Sequence, residues 1–157
     1  FSHASTMYNI LRDVPQIEKF VSVGVQEFSP IEWERDTSDS RVRMFTAYNM
    51  WRGQFEGATW SKIVNDIIEE LPEDVYLALD IDGLTNECTP NNGHITAGGI
   101  SFHQYVYLME RIIASGRRIV GFDITEVTPD IKDKDDMRIV ARLLFKMCSI
   151  ALNGVGR

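Results

Sequence analysis

The chain has little of several things that would narrow its class. Only two cysteines occur among 157 residues, Cys88 and Cys148, far apart in sequence and in no CxxC or Cys/His metal spacing. That points away from a disulfide framework, and a reduced, cytoplasmic chain is expected. Proline is scarce, at 5 residues, and there is no internal repeat, low-complexity tract or linker. One domain over residues 1–157 is therefore expected, long enough for a sizeable core. No apolar run approaches the roughly 18 residues that span a bilayer, and no signal-peptide pattern is present, so no membrane partner is expected. Basic residues are outnumbered, 16 Lys and Arg against 23 Asp and Glu, for a net charge of −7. With no basic stripe, a nucleic-acid partner is not expected. The acidity suits cationic ligands, although it is also a common route to solubility. The first residue is Phe1, not Met, so the chain is expected to start inside a longer protein or to be trimmed.

What is present reads as alternating strands and helices. Phe20 to Val25 is β-rich and alternating, and Val42 to Phe45 is a shorter strand candidate. The polar stretch between them, Ser29 to Ser40, reads as a helical turn or loop. Trp60, Ile63, Val64, Ile67, Ile68 and Leu71 recur at i, i+3, i+4 spacing, which predicts a helix that Pro72 ends. The run Val75 to Leu79 is continuously apolar and of strand length, as in a strand buried on both faces of a parallel sheet. A glycine- and asparagine-rich loop over residues 85–99 follows. Tyr105, Leu108, Met109, Ile112 and Ile113 predict a helix stopped at Ser115-Gly116. Ile119 to Ile124 is another buried strand, and Met137, Val140, Leu144, Met147, Cys148 and Ala151 predict a long final helix. This order implies a parallel α/β sheet with helices on both faces, in which ligands bind beyond the carboxyl ends of the strands.

Two predicted strands end in acids. The first runs into Leu79-Asp80-Ile81-Asp82-Gly83. The strand period of two puts Asp80 and Asp82 on one side. At about 4 Å and an effective dielectric of about 20, their repulsion is roughly 4 kcal/mol. A cation, a shared proton or a Lys/Arg partner must offset it, and a divalent metal with a preference for carboxylate oxygen is the natural candidate. The plainer alternative is a pair of acids that cap the turn after the strand. The second strand runs through Phe122-Asp123-Ile124-Thr125 to Glu126, which stands at the same rim or serves as an ordinary turn residue. The loop between them, Pro90 to Gly99, holds His94 among glycines that permit a tight backbone path. It lacks the residue order of a phosphate-binding loop.

Together these segments resemble the ureohydrolases: arginase, agmatinase, guanidinobutyrase and formiminoglutamase. VYLALDIDGLTNECTPNNGHITAGG, from Val75 to Gly99, resembles the family's S-F-D-x-D-x-L-D-P signature with its T-P and G-G loop. GFDITEVTP resembles G-x-D-x-x-E-x-x-P, and FSHASTMYNIL resembles the S-H-G-T segment. The likeness covers nearly the whole chain in order. It implies a three-layer α/β/α sandwich with a mainly parallel sheet, of which residues 1–157 are the C-terminal portion and the N-terminal strands are absent.

The resemblance further implies two Mn²⁺ ions that activate a bridging hydroxide for attack on a guanidinium carbon, with release of urea. Asp80 and Asp82 match two metal ligands, Glu126 the carboxylate that holds the guanidinium group, and His3 a proton shuttle. His94 stands in the substrate loop, as a substrate contact or a solvent-facing residue. The implied partners are a small guanidino substrate, with a lean toward agmatine over arginine, and sister subunits in a homotrimer or hexamer.

The departures are specific. The family's G-G-D-H-S and D-A-H-x-D ligand segments have no counterpart, so this chain alone is expected to be inactive. Thr85 and Asn86 replace an aspartate and a proline, His94 and Ile95 replace the T-P pair, and Ala4 replaces a glycine. A non-catalytic member of the family is one alternative. Another is a Mg²⁺-dependent phosphatase of the haloacid-dehalogenase type with Asp80 as nucleophile, although Leu84 stands where its motif has threonine.

Overall fold

The structure, a computed structural model, describes residues 5–90, 96–127 and 135–154. The elements run α1 (Thr6–Asp13), β1 (Phe20–Val25), α2 (Pro30–Ser38), β2 (Val42–Thr46), α3 (Ala47–Phe55), α4 (Trp60–Glu69), β3 (Asp74–Asp80), a short 3-10 turn (Ile81–Gly83), α5 (Phe102–Ala114), β4 (Arg118–Thr125) and α6 (Asp135–Gly154). The class is the expected α/β. Each observed strand pairing is parallel: β1 with β2 and β3 with β4, in two two-stranded sheets.

Local chemistry sets the helix starts. Pro30 sits in the first turn of α2, and Ser29 with Glu32 closes a reciprocal capping box. This turns the polar 29–40 stretch into a true helix. Thr59 caps α4 by accepting from Lys62 N, and Ser101 with Gln104 forms a second capping box at α5. Helix α4 buries Ile63, Val64, Ile67 and Ile68, the face its periodicity predicted. At roughly 1.5–3 kcal/mol per fully buried branched side chain, that face anchors the helix far more firmly than its cap.

The core joins α4, α5, α6 and one face of the β3–β4 sheet. Leu79 lies in it, and Leu77, Phe122 and Ile124 pack against it. The other face is not covered among the described residues: Tyr76, Ala78 and Asp80 are exposed, and Tyr76 and Val120 are 59% and 62% accessible. The expectation that β3 is buried on both faces is therefore corrected. The uniformly apolar run carries the signature of a two-sided strand, while these helices cover only one side. Helix α6 shows a related difference. It packs through Val140, Leu143 and Met147, whereas Met137, Leu144 and Cys148, which share the helical period, are exposed.

The connection from β3 to α5 is drawn tightly against the strand ends. Leu84 and Ile100 form a parallel bridge, and Ile100 N donates to the Gly83 carbonyl at 3.0 Å. Gly99 has φ +91°, and a Cβ there would lie 2.6 Å from the Leu84 backbone. Only glycine fits this crossing.

Candidate functional site at the carboxyl ends of the parallel strands

Strand β3 ends at Asp80. Register pairs Asp80 with Thr125, the last residue of β4, so Glu126 leaves the sheet at the same rim one strand away. The fold thus brings Asp80, Asp82 and Glu126 to one edge. It does so by a different route from the one expected. Asp82 is not a strand residue. It lies in the 3-10 turn, and Asp80 Oδ1 accepts from Asp82 N at 2.9 Å to cap that turn. Strand alternation therefore does not place the two carboxylates. The Asp80 side chain pulls the backbone round instead, which is the capping role weighed as the plainer alternative. One Asp80 oxygen is committed to the turn. Asp82 Oδ1 is shielded from water.

Glu126 has φ +60°, the one left-handed non-glycine among the described residues. Such a conformation costs on the order of 1–3 kcal/mol and persists where the surroundings impose it. Sequence inspection carries no signal for this strain. His3 and His94, the expected proton shuttle and substrate-loop histidine, lie outside the described residues.

Two residues to which the sequence assigned no role stand at or near the rim. Gln26, just past β1, donates from Nε2 to the Asp82 carbonyl at 2.7 Å and accepts from the Thr96 hydroxyl. Asp123 in β4 accepts from the Tyr76 hydroxyl at 2.9 Å. That hydrogen bond, with desolvation added, raises the Tyr76 hydroxyl above its ordinary range. Past the rim, Thr85 and Asn86 line a cavity of about 890 Å³ together with Trp51, Cys88, Gly98 and His103. Glu87, at its edge, is held below the usual carboxylate range by its own backbone N–H and the Thr85 hydroxyl.

The donor set suits a hard or borderline divalent cation in kind, since Asp80 and Asp82 offer carboxylate oxygen beside one turn. It is partial in number. Among the described residues no three His, Cys, Asp or Glu side chains gather as a metal-binding group. Nor is any described helix long and apolar enough to cross a membrane.

Parallel strands with carboxylates at their carboxyl ends define an α/β protein with its candidate ligand site at that edge of the strands. The model of the Arginase family matches residues 1–149, and the chain belongs to that family. It is 29% identical over 156 residues to an N(1)-aminopropylagmatine ureohydrolase of Thermus thermophilus, covering 99% of this chain and 48% of that protein. An N(1)-aminopropylagmatine ureohydrolase of Thermococcus kodakarensis is 38% identical over 80 residues, 51% of this chain and 27% of that protein. Among solved structures, a hypothetical agmatinase from Burkholderia thailandensis superposes with a TM-score of 0.75 at 20% identity, covering 99% of this chain and 47% of that one. Arginase from Bacillus subtilis gives 0.69 at 22% identity, over 83% of this chain and 44% of that one. The fold is arginase-like, and the chain spans about half the length of the relatives it matches along its whole length.

Proposed function

We propose that this chain is the Asp80- and Asp82-bearing portion of a ureohydrolase that releases urea from a small guanidino substrate of the agmatine or arginine type. The observation that carries the reading is the register of Asp80 with Thr125, which sets Asp82 and Glu126 at one rim within a chain matched to the Arginase family along residues 1–149. Asp80 and Asp82 would hold two Mn²⁺ ions together with ligands from the remainder of the protein. What bound metal supplies is Lewis-acid activation of water toward the guanidinium carbon. Glu126 orients the substrate: its two oxygens match the planar N–H fork of a guanidinium. His3 takes the proton-shuttle role and His94 contacts the substrate. The whole protein assembles as a trimer or hexamer.

A lean toward agmatine-like substrates draws support from the relatives, several of which are named as aminopropylagmatine ureohydrolase or agmatinase. A second reading, a family member without catalysis, is favoured by the partial donor set. The phosphatase alternative loses its footing with the family match. The test is urea release by the whole protein with agmatine, arginine and guanidinobutyrate, alongside its manganese content. Urea with bound manganese is expected. Neither urea nor manganese would sink the proposal and leave the non-catalytic reading.

A further inference from the structure

Helix α6 carries three faces, each about a third of its circumference. Val140, Leu143 and Met147 point into the core. Arg138, Arg142, Lys146 and Asn153 form an exposed polar face. The third face is apolar and also exposed: Met137, Ala141, Leu144, Cys148 and Leu152, with Phe145 at its border. Their spacings of four, three, four and four set them on one line along about 22 Å of helix. Leu144 is 46% accessible and Leu152 73%.

A helix that meets water on two of its faces carries polar residues on both, and α6 does so on one alone. A continuous exposed apolar stripe marks a surface that another element covers. The surroundings say where that element comes from. Helix α5 packs between α4 and α6, and α6 lies against β4. Strand β4 pairs with β3 alone among the described residues. The row of helices thus stops at α6 where the sheet stops at β4. A further parallel strand on that edge would arrive with a crossover helix in the adjoining layer. The chain spans about half the length of the relatives it matches along its whole length, so the remainder is long enough to supply such a helix. A second copy docked stripe to stripe fits less well. Every charged residue between Met137 and Asn153 is a cation, and a two-fold pairing would set the two cationic rows side by side.

We propose that the Met137-to-Leu152 stripe of α6 is the seam on which the portion of the protein outside residues 1–157 docks, through an apolar helix laid along α6. The family resemblance sets that portion before Phe1. This rests on the reading of the chain as part of a longer ureohydrolase, and on neither its metal nor its substrate.

The experiment takes the whole protein, grown with photo-leucine, and maps its cross-links by mass spectrometry after irradiation. Leu144 and Leu152 are expected to link to peptides outside residues 1–157 within one molecule. Cys148 is expected to lose its reaction with a maleimide in the native protein and to regain it in urea. Links that join two molecules into a covalent dimer on a denaturing gel overturn the proposal, because a second copy then covers the stripe. So do links confined to residues 1–157, an absence of links from either leucine, or a native Cys148 that reacts as fast as in the unfolded chain. The expected links in a protein without urea release or manganese keep the seam and overturn only the catalytic reading.

Discussion

Gln26 Nε2 donates to the carbonyl of Asp82 at 2.7 Å, so the end of one parallel strand holds the acid-bearing turn at the end of another. The same amide accepts from Thr96, which ties in the segment leading to α5. Gln26→Leu removes both contacts and leaves the partly buried Asp82 carbonyl without this donor. A loss of about 1–3 kcal/mol is expected. Equilibrium urea denaturation measures it, and an unchanged midpoint would show that the amide is replaceable by water.

The crossing of Gly99 over Leu84 yields a larger effect. Gly99→Ala introduces a Cβ 2.6 Å from the Leu84 backbone at φ +91°. Neither the strand end nor the bridging segment can yield without breaking the Leu84–Ile100 bridge. The substitution should cost more than about 2 kcal/mol, visible as a large fall in Tm or loss of soluble protein. A Tm within a degree of wild type would mean that the crossing relaxes freely.

Much of this was legible in sequence, and particular residues show why. The face of α4 was readable because one strongly amphipathic period occupies a single helix. Asp80, Asp82 and Glu126 were readable as rim residues because parallel strands present their carboxyl ends together, a consequence of topology. Their local geometry was not readable. A side chain that captures a backbone N–H two residues on ends a strand early, and no period reports it. Helix α2 was legible only as a helical turn or loop, although its Ser29-Pro30-x-Glu32 start carries a capping signature. Asp123 was legible only as the aspartate of GFDITEVTP, because its register with Ala78 and its contact from Tyr76 lie across strands, where no local pattern reports them.

Tyr105 gives a pH-dependent prediction. Its hydroxyl is buried in α5 without a hydrogen bond among the described residues. Burial, and then the charge of Asp123, raise its ionisation above the ordinary 10.0. The folded state therefore keeps the proton that the unfolded chain releases. The resulting stability is full below pH 10 and is lost as pH rises through the folded value. Tyr105→Phe should leave stability near neutral pH unchanged or raised by about 1 kcal/mol, because it removes an unsatisfied group. It should also flatten the alkaline limb of a Tm-against-pH curve. An alkaline limb as steep as wild type would place that titration elsewhere.

The caps offer a smaller and cleaner effect. Thr59 Oγ1 accepts from Lys62 N at 3.2 Å at the start of α4. Thr59→Ala should cost about 1 kcal/mol, with the core face untouched. Denaturant unfolding with an unchanged m-value would confirm a local loss, whereas a changed m-value would indicate a wider rearrangement.

In the proposed function, the turn at Asp80 and Asp82 holds metal for hydrolysis of a guanidino substrate. The most direct measurement is bound manganese per protein, with urea release in the same samples, for the whole protein and its Asp80→Asn, Asp82→Asn double variant. The account predicts manganese and urea from the wild type and loss of both, by at least about tenfold, from a variant that stays folded. A folded variant that retains manganese and releases urea at the wild-type rate would contradict it.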